Sequence, residues 1–214
     1  RERRRKMGSH LGWIRMPITE TKLKTALLGG TFNPVHLGHV HLFHEAYEKA
    51  GIQRLVLIPA YLSNFKRESH PVSFEDRAEM LRLAIEDYHS LYPEDELSIE
   101  VSLFEGERKG ISYTSETIKA FFDEYEDEGK VNFIIGDDII AKLSFWHDFE
   151  YLKEHVRFLC FTRFGIMEND SGADVVFIES SVYHASSSEV RAGDMSMLSE
   201  RVGEYVRDNK LYGA

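Results

Sequence analysis

Apolar positions along this chain come in short unbroken runs, parted by stretches with helical spacing. The runs are Thr25–Gly30 (TALLGG), Arg54–Ala60 (RLVLIPA), Val131–Asp138 (VNFIIGDD), Val156–Thr162 (VRFLCFT) and Asp174–Glu179 (DVVFIE). Leu97–Phe104 (LSIEVSLF) alternates instead and reads as a further strand. Between the first two runs, Val40, Phe43, Tyr47 and Ala50 fall on one side of a helix. Phe74 to about Tyr88 reads as a second helix, with Ser73 as N-cap and Asp76 at N3. Ser115–Glu128 reads as a third, stopped by Gly129. Two more, about Ser187–Arg191 and Ser199–Asn209, make a small C-terminal helical segment. Continuous apolar runs separated by helices mean strands covered on both faces, which predicts an α/β fold. The expected core is a doubly wound parallel sheet of about five to six strands with helices on both faces.

Ligands of such sheets sit beyond the carboxyl ends of the strands, where the strand order reverses. Five strand ends carry polar segments that would meet there: GGTFNPVH, PAYLSNFK, GDD, TRFG and SSVYHASSSEVR. The first is the most specific. In Gly29–His39 (GGTFNPVHLGH), Gly29 and Gly30 let the backbone turn and approach a ligand, and Pro34 holds Asn33 extended. His36 precedes the helix and His39 falls in its first turn. The amides of a helix start and its dipole favour an anion, and imidazole N–H groups donate to phosphoryl oxygens. The stretch therefore has the parts of a phosphate cradle. His36 and His39 could also be a metal pair, but no third ligand lies at a telling distance, or surface histidines on a capped helix. The pattern is neither the dinucleotide fingerprint nor a P-loop.

Charge and composition narrow the classes. The chain has 214 residues, 43% of them apolar, and a net charge of −10, which argues against a protein that wraps a nucleic-acid duplex. A small anionic substrate is compatible, because a few cations in a cleft outweigh the mean field. The single cysteine, Cys160, cannot form an internal disulfide and reads as a buried small hydrophobe, consistent with a reducing cytosol. No apolar stretch approaches the ~20 residues of a membrane span. Residues 1–20 read as a flexible extension or tag; a nucleic-acid-binding arm is the sharper reading of RERRRK. Residues 21–214 are expected to form one domain.

GGTFNPVHLGH resembles the T/H-x-G-H signature of the nucleotidyltransferase superfamily, and Ala185–Arg191 (ASSSEVR) is similar to its late I-S-S-T-x-I-R motif, with Ala185 for Ile and Ser188 for Thr. Ser186 with Glu189 also reads as a plain capping box. No K-M-S-K-S-type loop comes after the histidines, so a synthetase is disfavoured. Three middle motifs resemble the bacterial nicotinate-nucleotide adenylyltransferase branch. IPAYLSNFK (Ile58–Lys66) is similar to I-P-x-x-x-x-P-x-K, with Asn64 in place of the second proline. SYTSETI (Ser112–Ile118) is similar to S-Y-T-x-x-T-L. IIGDDIIAKLSFWHDFEYL (Ile134–Leu152) is similar to I-I-G-x-D-x-x-x-x-L-x-x-W-x-x-x-x-x-L.

The resemblance implies a Rossmann-like nucleotidyltransferase domain and transfer of AMP from ATP to nicotinate mononucleotide. Deamido-NAD and pyrophosphate would be the products, with Mg²⁺ carried on ATP. It implies catalytic roles for His36, His39 and Arg191. It implies ATP binding by Gly29, Gly30, Thr31, Phe32, Asp138, Ser187 and Ser188, with the two histidines and Arg191. It implies substrate binding by Asn33, Lys66, Tyr113, Thr114, Trp146 and Arg163. Three of these have a plainer reading beside it: Tyr113 a half-buried aromatic, Trp146 a core anchor, Asp138 a helix cap. Arg77 reads mainly as part of a helix-surface salt bridge. Phosphopantetheine adenylyltransferase, nicotinamide mononucleotide adenylyltransferase and a nucleotide-binding regulatory protein are the alternatives. The expected setting is cytoplasmic, without nucleic-acid or membrane partners, and a homodimer is left open.

Overall fold

The computed structural model describes residues 24–63, 71–125, 129–163, 168–181 and 183–214. The expected extension, residues 1–20, and Lys66 lie outside these. The strands among the described residues are β1 (Thr25–Gly30), β2 (Arg54–Pro59), β3 (Leu62–Ser63), β4 (Ser98–Val101), β5 (Ile111–Ser112), β6 (Val131–Gly136), β7 (Val156–Thr162) and β8 (Asp174–Glu179). Six of them make the main parallel sheet, in the order β4-β2-β1-β6-β7-β8. A small second ladder pairs β3 with β5. The helices are α1 (Leu37–Ala50), α2 (Phe74–Leu91), α3 (Phe104–Arg108), α4 (Thr114–Tyr125), α5 (Phe149–His155), α6 (Ser187–Arg191) and α7 (Glu200–Asp208). The doubly wound parallel sheet is thus as expected. No helix of the described residues is long and apolar enough to cross a membrane.

Each face of the sheet buries its own core. One holds Phe43, Leu81, Tyr88 and Val206 from α1, α2 and α7, all fully buried. The other holds Ile118, Leu143, Leu152 and Phe158 from α4, the 3-10 stretch after β6, α5 and β7. At about 1.5–3 kcal/mol per buried large apolar side chain, these two clusters carry most of the folding drive. Polar groups fix the edges of the packing. The Asp87 carboxylate accepts from the Arg201 amide at 3.0 Å and from its guanidinium at 2.7 Å. It caps α7 from outside, because the N-cap Ser199 makes no side-chain cap bond of its own.

Two expected strands end sooner than their apolar patterns suggest. The Leu97–Phe104 run is a strand only over Ser98–Val101, and Phe104 opens α3. The Ser102 hydroxyl accepts from the Phe104 amide at 3.3 Å, a local bond that turns the chain out of the sheet. The Val131–Asp138 run stops at Gly136, and Asp137–Phe145 continues as 3-10 helix. There Asp137 is captured by Arg163, which pulls the strand end towards β7.

The topology opens a crevice. β1 keeps register with β2 from Thr25–Arg54 to Gly30–Pro59. Its register with β6 covers only Ala26–Asn132 and Leu27–Phe133. The two strands part beyond Leu27, where the strand order reverses.

Candidate active site

The crevice between β1 and β6 is a cleft of about 720 Å³. Its floor is the end of β1. Gly29 and Gly30 are needed there for space rather than for a turn. A Cβ on Gly29 would lie 3.1 Å from the Phe133 ring, and one on Gly30 would lie 3.0 Å from the Phe32 ring. Neither glycine has positive φ; the left-handed residue is Phe32, at φ 48°.

The loop then delivers His36 as the extended N-cap of α1 and His39 at its third helical position. Their rings are 3.9 Å apart. The His36 amide donates to Nδ1 of His39 at 3.2 Å. With Nδ1 accepting, the neutral His39 ring carries its proton on Nε2. Burial pushes the His36 pKa down to about 4, with Glu189 pulling weakly the other way, so its ring is neutral at pH 7. Its Nδ1 is buried without a hydrogen-bond partner among the described residues. Gly38 is what lets the two rings meet: a Cβ there would lie 3.0 Å from Cε1 and Nδ1 of His36. Two imidazoles and the first amides of a 14-residue helix thus face one wall of the cleft. This arrangement can hold and polarise phosphoryl oxygens.

The opposite wall comes from β6 and the 3-10 stretch beyond it. The Arg163 guanidinium donates to both oxygens of Asp137, at 2.8 and 3.3 Å, and keeps that carboxyl below the usual range. Asp138, next along, is exposed and lines the cleft. Trp146 is held edge-on by Phe133 and Phe158, each with centroids 6.0 Å away. Tyr113 stacks on His147 at 4.3 Å, and His147 also meets the Ser115 hydroxyl at 3.1 Å.

The late motif stands over the loop. Ser186 accepts from the Glu189 amide at 3.2 Å, as the capping-box pattern implied. Ser187 donates to the Pro34 carbonyl at 2.9 Å. Arg191 donates to the Asn33 carbonyl at 2.7 Å and to Ser188 Oγ at 3.2 Å, its side chain otherwise exposed.

Gly29, Gly30, Thr31, His36, His39, Thr114, Asp138, Trp146 and Arg163 therefore line one cleft. Tyr113, Ser187, Ser188 and Arg191 stand around it without lining it. Phe32 is 3% exposed and packs in the core. Asn33 is also buried, and its side-chain oxygen is taken by the Val72 amide and the Tyr212 hydroxyl.

Arg77 corrects the sequence expectation most clearly. It is 1% exposed, so it does not sit on the helix surface. Its guanidinium donates to the carbonyls of Thr31 at 2.8 Å, Ala60 at 2.7 Å, Val72 at 3.2 Å and Tyr61 at 3.4 Å. It ties the loops after β1 and β2 together under the cleft.

Glu45 was not foreseen at all. It is buried on α1 and lines the cleft, accepting from Lys49 Nζ at 2.8 Å, the Ser181 amide at 2.8 Å, the Ser181 hydroxyl at 2.7 Å and the Ser180 hydroxyl. Burial opposes its ionisation, yet these donors win and hold the carboxyl at about 2. A glutamate between Phe43 and Tyr47 on a helix looks solvated in sequence; only the segment after β8, with Ser180 and Ser181, encloses it.

Comparison with known proteins agrees with this geometry. The Cytidylyltransferase-like family model matches residues 27–193. A Listeria innocua protein described as a probable nicotinate-nucleotide adenylyltransferase is 33% identical over 196 residues, covering 90% of this chain and 98% of its own. A Borreliella burgdorferi protein of the same description is 30% identical, covering 89% and 97%. In fold, the chain is similar to the Plasmodium falciparum nicotinic acid mononucleotide adenylyltransferase complexed with NaAD. The TM-score is 0.67 at 16% identity, over 88% of this chain and 96% of that one. With the histidine pair on the first helix, the late serine–arginine segment and nearly end-to-end similarity to these relatives, the chain belongs to the nicotinate-nucleotide adenylyltransferase family.

Proposed function

We infer that this chain is a nicotinate-nucleotide adenylyltransferase, transferring AMP from ATP to nicotinate mononucleotide. An oxygen of the mononucleotide phosphate attacks the α-phosphorus of ATP. The bond to the α,β-bridging oxygen breaks, and its electron pair leaves with pyrophosphate; nicotinate adenine dinucleotide is the other product. The attacking phosphate is an anion at neutral pH, so no side chain has to remove a proton. The protein's part is position and charge stabilisation.

The observation that carries the reading is the His36–His39 pair at the start of α1, with rings 3.9 Å apart on the cleft wall. His39 offers Nε2–H to the triphosphate. His36, neutral when the cleft is free, gains affinity for a proton when phosphate oxygens arrive and becomes the stronger donor as charge builds up. Arg191, anchored to the Asn33 carbonyl and to Ser188 Oγ, offers the N–H groups these bonds leave over to the β- and γ-phosphates, beside Ser187 and Ser188. Asp138 accepts from a ribose hydroxyl. Trp146, Tyr113 and Thr114 meet the pyridine ring and its carboxylate, and Arg163 the mononucleotide phosphate; Lys66 keeps the substrate-binding role that the resemblance implies.

Among the described residues no group of three or more His, Cys, Asp or Glu side chains could hold a metal ion. The donors at the cleft mouth, amides, imidazoles and a guanidinium, suit phosphate oxygens. Mg²⁺ would arrive on the ATP phosphates and supply neutralisation of their charge. The reading takes residues 21–214 as one nucleotidyltransferase domain acting in the cytosol.

Incubation with ATP and Mg²⁺, separately with nicotinate mononucleotide, nicotinamide mononucleotide and phosphopantetheine, tests it by chromatography of the products. Nicotinate adenine dinucleotide as the dominant product is expected. NAD would overturn the preference for the acid, and dephospho-CoA would overturn the branch.

A further inference from the structure

The loop that carries His36 is gripped from a place the sequence pattern does not flag. After α7 the chain makes a 3-10 turn, Leu211–Gly213. Tyr212 in that turn donates its phenol O–H to Oδ1 of Asn33 at 2.8 Å, across 179 residues. Asn33 receives three elements at once. Its side-chain oxygen also accepts from the Val72 amide at 3.3 Å, and its carbonyl accepts from Arg191 at 2.7 Å. The turn adopts a costly backbone to make this contact: Lys210 and Tyr212 are both left-handed without being glycine, at φ 53° and 56°. The phenol is half-buried and faces the Arg77 and Arg191 guanidiniums, and burial raises its pKa well above the ordinary range, so it stays a donor.

We propose that Tyr212 is a positioning residue of the adenylyl-transfer site, acting through Asn33 to set the loop that presents His36 and the carbonyl that orients Arg191. The inference rests on the adenylyltransferase reading. Neither Tyr212 nor Asn33 lines the cleft, and the Asn33 side chain is buried with its oxygen already taken by Tyr212 and Val72, so the contact lies behind the loop. What they fix is the placement of donors that matter most as charge develops in the transition state. The cost of losing the contact therefore falls on kcat and not on the KM for ATP.

Tyr212→Phe, Asn33→Ala and the double variant test this, with Tyr205→Phe as comparison. Tyr205 lies on α7, before that turn, and donates to Asp76 at 2.8 Å and not to the loop. Each would be assayed for nicotinate adenine dinucleotide formation and for its urea midpoint. Tyr212→Phe is expected to lower kcat about tenfold, as loss of one well-placed hydrogen bond does, with the KM for ATP changed less than about twofold. Tyr205→Phe is expected to lower the midpoint by a similar amount and leave kcat unchanged. In the Asn33→Ala background, Tyr212→Phe is expected to cost less than about twofold further. A Tyr212→Phe kcat within about twofold of wild type overturns the proposal. So do equal kcat losses in Tyr212→Phe and Tyr205→Phe, or full additivity with Asn33→Ala. A wild-type chain that makes no dinucleotide refutes the adenylyltransferase reading itself.

Discussion

Replacing Arg77 by Met removes a buried cation that serves carbonyls instead of carboxylates. Its two short bonds, to Thr31 at 2.8 Å and Ala60 at 2.7 Å, join the loops after β1 and β2. The bonds to Val72 at 3.2 Å and Tyr61 at 3.4 Å are weaker. At about 2 kcal/mol for each short charge-assisted bond, and less for the long ones, the gross loss is about 4–5 kcal/mol. Sparing the desolvation of a guanidinium, whose pKa burial already depresses, returns part of this. The net expectation is a loss of about 3 kcal/mol. With a urea m-value of roughly 2 kcal/mol/M, the midpoint falls by about 1.5 M. Methionine fills much of the same volume, so the loss reports the donors and not a cavity. Arg77→Lys keeps the charge without the planar fork and restores only part of the shift. Equilibrium urea unfolding followed by tryptophan fluorescence measures it, and turnover should fall as well, because Thr31 and Ala60 both line the cleft. A midpoint shift under about 0.3 M would refute the reasoning and return Arg77 to the surface role its sequence context suggests.

Gly38→Ala should gain about 1 kcal/mol of helix propensity. It should nevertheless lower kcat, because the new methyl lies 3.0 Å from the His36 ring; steady-state kinetics beside thermal unfolding separates the two effects. The His36 pKa is lowered from 6.5 to about 4 in the folded chain, so acid favours the unfolded chain. Its contribution is flat above pH 6.5, and up to about 3 kcal/mol of stability is lost as pH falls towards 4. His36→Gln should flatten that slope in a pH series of unfolding midpoints. The Glu45 pKa is lowered from 4.5 to about 2, so its ionised contacts stabilise the fold above pH 4.5 and are lost as pH falls through 2. Glu45→Gln should therefore cost about 2–3 kcal/mol at pH 7 and much less near pH 2, read from the same unfolding series.

The main sheet was legible because both its faces are covered: runs such as TALLGG and VRFLCFT have no polar side to hide their strands. The histidine loop was legible because GGTFNPVHLGH resembles the T/H-x-G-H signature and follows the first apolar run. What escaped were groups whose meaning depends on distant chain. Arg77 looks like any helix arginine until the loops after β1 and β2 fold over it. The contacts of Glu45 and Asn33 were invisible for the same reason: their donors come from Ser180, Ser181 and Tyr212. Short elements escaped too. The five-residue α3 and the two-residue β3 and β5 are shorter than any period can register, and the seven-residue α5 spans barely two turns. The turn expected of Gly29 and Gly30 is not what they supply: they line the cleft and make room for Phe133 and Phe32.

The central claim is that the imidazole pair stabilises charge on the transferring phosphate. Pyrophosphate release from ATP and nicotinate mononucleotide should be timed for wild type, His36→Gln and His39→Gln, with the ATP Kd of each measured by titration calorimetry. The account expects kcat to fall about 10²–10³-fold in each variant, as for loss of one donor to developing charge, while the ATP Kd changes only a fewfold. A kcat within about threefold of wild type in both variants would contradict it.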